Sequence, residues 1–148
     1  REKDETDTEL ALGEAFGMAP AEVWIWGAMG FRIDHTLANL SLLVQGAEQG
    51  VAVKLIDEWC EVFLVTGRMV LEGEEGQTVS LIPFAGDVGG VTLTCFEYPL
   101  AKAVLKVGHP RGTSNRLAAH RGIIEIETGC LLAVRYFRPG AFPGEVKG

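Results

Sequence analysis

The chain has 148 residues, 47% of them hydrophobic, which is enough for one good core or two small ones and excludes a disordered segment. Thirteen basic against twenty acidic side chains leave a formal charge of −7, which argues against a general phosphate-backbone binder, because such proteins need a basic surface to release counterions. The charge is unevenly spread: residues 1–96 carry 5 basic and 16 acidic side chains, whereas residues 97–148 carry 8 and 4. Segments of opposite net charge point to two structural units.

No apolar run approaches the ~20 residues needed to cross a bilayer, and Arg1-Glu2-Lys3-Asp4-Glu5 is charged where a signal peptide would be apolar. A soluble, cytoplasmic protein is expected, with neither membrane nor nucleic acid as partner. Cys60, Cys95 and Cys130 are odd in number and sit in apolar surroundings, so they read as reduced core residues.

In chain order, the first predicted element is a helix from Asp7 to Phe16. Thr6 and Glu9 stand before it in capping-box relation. Glu22 to Trp26 reads as a buried strand closed by Gly27-Ala28-Met29-Gly30, and on that placement Trp24 and Trp26, like Trp59 further on, read as core or interface residues. A second helix follows from Asp34, with Leu37, Leu40, Leu43 and Ala47 at helical spacing, and then a strand from Val51 to Ile56. Strand and helix alternate here as in an α/β unit.

After Asp57 the rhythm becomes β-rich. Eight short strands are predicted, at 61–66, 69–72, 78–83, 90–96, 103–108, 116–119, 123–127 and 131–137, punctuated by glycines. That pattern argues for a β-sandwich or barrel. The domains are therefore expected at 1–58 (α/β) and 59–138 (all-β), with a Gly- and Pro-rich loose tail at 139–148.

Three clusters carry possible chemistry. Lys3-Asp4-Glu5-Thr6-Asp7 would cap a helix whatever the function; alternatively Lys3, Thr6 and backbone N–H groups hold a phosphate while Asp7 holds a divalent metal. Gly27-Ala28-Met29-Gly30-Phe31-Arg32-Ile33-Asp34-His35 lies between a strand and a helix, where open α/β sheets place ligands. There Asp34 reads either as the helix N-cap beside a neutralising Arg32, or as a metal ligand beside an arginine that braces phosphate; His35 reads as structural. The third cluster, Gly108-His109-Pro110-Arg111-Gly112-Thr113-Ser114-Asn115-Arg116, is either only a turn or a loop whose Ser114 and Asn115 recognise the edge of a heteroaromatic ring.

Together Lys3 to Leu12, Gly27 to Asn39, Val79-Ser80-Leu81-Ile82-Pro83-Phe84 with Gly86-Asp87-Val88, and Gly112-Thr113-Ser114-Asn115 resemble the bacterial thiamine pyrophosphokinases. Four blocks in the right order are far more specific than any one of them. The resemblance implies the C-terminal part of a Rossmann-like α/β nucleotide-binding domain followed by a jelly-roll-like β-sandwich that binds thiamine. It further implies a Mg²⁺-dependent homodimer with a composite active site, moving pyrophosphate from ATP to the hydroxyethyl oxygen of thiamine to give thiamine diphosphate and AMP. By the same resemblance Lys3, Asp4 and Thr6 fall near ATP, Asp7 and Asp34 on the metal with Arg32 beside them in the catalytic group, and Ser114 and Asn115 on thiamine.

Two departures bear on those expectations. Phe31 stands where the family usually has a second glycine, and the family's catalytic domain begins with a further aspartate-bearing loop upstream of the first block. On that comparison the chain starts inside the catalytic domain and is expected to be inactive alone; the alternative is a non-catalytic thiamine-binding or interaction module.

Overall fold

Thr6 starts the first helix through a local bond: its hydroxyl oxygen accepts the Glu9 N–H at 3.1 Å, and α1 (Asp7–Phe16) follows. Asp7 and Glu9 lie in its first turn, where carboxylates oppose the positive end of the helix dipole. The Glu9 carboxylate also accepts from Gln45 Nε2 at 2.7 Å, tying α1 to the next helix. The computed structural model describes residues 6–145, in two units that part between Glu58 and Trp59. Lys3 and Asp4 lie outside the described residues.

In the first unit β1 (Glu22–Trp26) and β2 (Ala52–Ile56) pair in parallel, Glu22 opposite Ala52 through to Trp26 opposite Ile56, with α2 (Ile33–Glu48) as the crossover. Gly46 lets the helix lie on β2: a Cβ there would press into the Val53 side chain and stand 2.8 Å from the Val51 carbonyl oxygen. Leu12, Ala28, Leu42, Leu43, Val53, Leu55 and Ile56 are buried apolar residues of this small unit.

Two expectations fail here. β1 alternates instead of being buried throughout: Val23 and Ile25 are half-buried on one face, while Trp24 and Trp26 are 59% and 65% exposed on the other. A continuous apolar run does not say how many faces are covered, and only one of them is packed. On α2 the buried stripe is Leu42, Leu43 and Gly46 with half-buried Leu40, Asn39 and Thr36, whereas Leu37 is 58% exposed and Ala47 is exposed. The stripe is rotated because the glycine turn before the helix holds on to Thr36 and Asn39.

The second unit is a sandwich of two antiparallel sheets. Its strands are β3 (Cys60–Val65), β4 (Arg68–Glu72), β5 (Thr78–Pro83), β6 (Val88–Thr94), β7 (Leu100–Leu105), β8 (Asn115–Arg116), β9 (Arg121–Glu125) and β10 (Leu131–Tyr136). One sheet orders them β3-β10-β5-β8, the other β4-β9-β6-β7. All eight predicted strands are present, with ends moved by at most three residues. Phe63, Val65, Val79, Leu81, Leu131 and Ala133 of the first sheet meet Leu71, Val91, Leu93, Leu105 and Ile124 of the second in one core. Each fully buried large aliphatic there is worth about 1.5–3 kcal/mol of transfer free energy. The fold class is therefore α/β followed by all-β, as the sequence leads one to expect.

Arg135 on β10 joins the two sheets of the sandwich. Its Nη2 donates to Glu61 Oε1 on β3 at 2.6 Å and its Nη1 to the Glu72 carbonyl oxygen on β4 at 2.6 Å. The stretch expected to be a loose tail has ordered contacts where it is described: Ala141 is buried, and the Phe142 ring packs edge-on to Tyr136 with centroids 4.9 Å apart. Among the described residues no helix is long and apolar enough to cross a membrane.

Candidate functional site

The turn from Gly27 to Arg32 connects β1 to α2 and walls a cavity of about 620 Å³ in the first unit, with Asp7, Trp26, Arg32, Thr36 and Asn39 among its lining. The helix holds this turn by two side chains. Asn39 Nδ2 donates to the Ala28 carbonyl oxygen at 2.8 Å, and Thr36 Oγ1 accepts the Gly30 N–H at 3.3 Å while donating to the Arg32 carbonyl oxygen at 3.3 Å. Sequence reasoning gave neither residue a role. Both stand in the second family block, and their polar side chains on the packed face of a helix are the signal that was available.

Asp34 is not the helix N-cap. Arg32 occupies that position in extended conformation and makes no side-chain cap bond, which leaves Asp34 in the first turn. Its carboxylate is engaged by Arg32: Nε donates to Oδ1 at 3.1 Å and Nη2 to Oδ2 at 2.6 Å, and the His35 N–H adds a bond to Oδ1 at 3.0 Å. The Arg32 guanidinium, aided by that backbone bond and by His35, holds the Asp34 carboxyl below the usual carboxylate range, and Asp34 in turn raises the arginine. Both groups are well exposed, so the pair can open toward a ligand at little cost. Arg32 and Asp7 both line the cavity, whereas Asp34 is absent from its lining and turned onto the guanidinium. The Phe31 side chain is fully exposed at the same turn.

Among the described residues no three of His, Cys, Asp and Glu gather as metal ligands. That donor set still suits Mg²⁺ accompanied by a nucleotide, because this ion keeps several waters and usually takes only one or two protein carboxylates together with substrate phosphates.

The loop from β7 to β8 is built differently. Its start is fixed by Asp87, whose Oδ1 accepts the Val107 N–H at 2.9 Å, and its end by Ser80, whose Oγ accepts the Ser114 N–H at 3.0 Å. Gly112 lies against β5, its carbonyl oxygen accepting the Leu81 N–H at 2.9 Å, and a Cβ there would strike the Leu81 carbonyl oxygen. Ser114 is exposed with φ of 60°, in the left-handed region. Asn115 is buried, and its amide is spent on backbone: Oδ1 accepts from the N–H groups of Tyr98 and Arg116 at 3.0 and 2.9 Å, and Nδ2 donates to the Tyr98 carbonyl oxygen at 2.8 Å. Of the two residues expected on the ring, only Ser114 has its side chain exposed. Ser80, Asp87 and Tyr98 were the residues missed.

Residues 1–55 match the family model described as thiamin pyrophosphokinase, catalytic domain, and residues 68–132 match that of its vitamin B1 binding domain. Thiamine pyrophosphokinase of Bacillus subtilis strain 168 is 35% identical over 136 residues, covering 90% of this chain and 64% of the relative. A crystal structure of thiamine pyrophosphokinase from Bacillus subtilis superposes with a TM-score of 0.87 at 33% identity, covering 93% of this chain and 65% of that one. One from Geobacillus thermodenitrificans gives 0.83 at 27% identity, covering 96% and 66%. The chain thus spans just under two thirds of the length of these relatives. Two domain models in sequence, the α/β-then-sandwich order and the likeness to solved structures agree: the chain belongs to the thiamine pyrophosphokinase family.

Proposed function

We propose that these residues serve the transfer of a pyrophosphoryl group from ATP to the hydroxyethyl oxygen of thiamine. The observation that carries this is the pairing of a catalytic-domain match over residues 1–55 with a vitamin B1 binding-domain match over residues 68–132. The thiamine oxygen attacks the β-phosphorus, the bond from that phosphorus to the α,β-bridging oxygen breaks, AMP leaves with that oxygen, and the hydroxyl proton passes to solvent. Such a transfer depends on positioning and charge neutralisation more than on covalent chemistry. Arg32 lies beside the cavity and, once it turns from Asp34 to phosphate, neutralises developing charge and frees the carboxylate. Asp7 and Asp34 would hold Mg²⁺, which supplies charge neutralisation on the phosphates when bound with ATP. Lys3, Asp4 and Thr6 approach the nucleotide, Ser114 and Asn115 belong to the thiamine loop, and the active site is shared across a cytoplasmic homodimer.

Calorimetry of this chain tests the reading, with binding of both thiamine and Mg·ATP as the expected result. In an enzyme that has the family's whole catalytic domain, Asp34→Asn, which removes one charge at nearly constant volume, is expected to lower AMP release about 100-fold while leaving the melting temperature in place. Unchanged turnover at saturating Mg²⁺ overturns the role of Asp34. Thiamine binding with neither ATP binding nor AMP release favours a non-catalytic thiamine-binding module, and a monomer by light scattering at high concentration removes the shared site.

A further inference from the structure

The cavity of the first unit has a lining of two kinds. Asp7, Thr8 and Arg32 bring charge and hydrogen-bonding groups to it, whereas Trp26, Met29 and Phe31 bring apolar surface. A ligand that satisfies both joins an anion to a flat apolar ring, which neither free phosphate nor thiamine, a cation without phosphate, supplies. Phe31 is the outlier of this wall, because its side chain is fully exposed and a whole aromatic ring stands in water. Its backbone is held on either side: Thr36 Oγ1 accepts the Gly30 N–H and donates to the Arg32 carbonyl oxygen. Gly27 takes the left-handed conformation of this turn with φ of 74°, while Phe31 stays outside that region and carries its ring without backbone strain. Neither packing nor conformation accounts for a phenylalanine at this point.

We propose that Phe31 packs on the base of the nucleotide whose phosphates Arg32 braces, and so sets this chain's preference for a nucleotide over free polyphosphate. This rests on the nucleotide reading of the cavity given above. Where the family usually carries glycine no side chain could make that contact, so the contact belongs to this chain. A nucleobase laid against the phenyl ring removes apolar surface of both from water and stacks two flat rings, and the ring offers no hydrogen bond to the base edge. The contribution is therefore one of affinity and leaves the phosphate contacts as they are.

Calorimetry of the full chain with Mg·ATP, with magnesium tripolyphosphate, which has the phosphates and no base, and with thiamine tests this. Phe31→Ala is expected to weaken ATP binding roughly fivefold and to leave tripolyphosphate and thiamine within about twofold, whereas Phe31→Trp, which keeps a flat ring, should hold ATP within about twofold. Since the side chain is exposed, neither substitution should move the melting temperature. Unchanged ATP affinity in Phe31→Ala overturns the proposal. So does an equal loss for tripolyphosphate, which would place the effect in the turn and the phosphates, and so does a loss that falls on thiamine in place of ATP. If the unsubstituted chain binds neither ATP nor tripolyphosphate, the nucleotide reading of the cavity fails and this assignment falls with it; binding of both that is indifferent to Phe31→Ala ends the proposal alone.

Discussion

The glycine turn of the first unit and the β7–β8 loop of the second both carry family blocks, yet they treat their polar side chains in opposite ways. In the turn, Arg32 and Asp34 are exposed and paired with each other, the His35 N–H adding a bond to the carboxylate, while Thr36 and Asn39 hold the backbone from behind. In the loop, the motif residue Asn115 is itself the fastener, and the exposed groups are its neighbours Tyr98 and Ser114. The difference teaches that a motif residue identifies a site without saying whether it touches the ligand or holds the residue that does. It also follows the two cores: the large apolar cluster belongs to the sandwich, which can fix a loop by burial, whereas the small α/β core leaves its turn to side-chain latches.

The contrast in cores can be broken most strongly at Leu131, fully buried on β10. Leu131→Ala is expected to cost about 3 kcal/mol in denaturant unfolding, against less than about 0.5 kcal/mol for Leu37→Ala on the exposed face of α2. Glu61→Ala deprives Arg135 of its carboxylate inside the sandwich. Because the arginine retains some solvent access, the expected loss is about 2 kcal/mol, below that for a fully buried pair, again by denaturant unfolding. Asn39→Ala removes one latch from the turn and should cost about 1 kcal/mol, with faster hydrogen exchange in residues 27–32 and no change in the β7–β8 loop. The smallest effect concerns Asp34: by NMR its carboxyl should titrate below the ordinary aspartate range and return toward it in Arg32→Gln. Since its folded value is depressed, whatever the pair adds to stability is present above the ordinary aspartate value and fades as pH falls through the lowered one. An unshifted titration would mean that the arginine does not rest on Asp34 in solution.

Much of this molecule was legible in its residues. Short β-rich runs and glycine punctuation located all eight sandwich strands, and the capping relation of Thr6 and Glu9 located the start of α1. Side-chain direction was less legible, because the Leu37 and Ala47 spacing is equally compatible with a stripe one position around the helix, and only the Asn39 and Thr36 bonds select between them. The apolar run at Trp24 and Trp26 could not report which face is covered. For the sites, the blocks bring Asp7 and Arg32 to one cavity, but the capture of Asp34 by Arg32 and of Tyr98 by Asn115 depends on rotamers and on a contact distant in sequence. No spacing rule encodes either.

The exposed tryptophans have a practical consequence. The chain has three, and Trp24 and Trp26 stand on one face of one strand in the first unit. Much of the intrinsic fluorescence therefore originates in water-exposed indoles beside the glycine turn, with red-shifted emission even in the folded protein. Because Trp26 also lines the cavity next to Arg32, a ligand settling there displaces the water around that indole. The protein thus carries its own optical reporter for occupancy of that cavity.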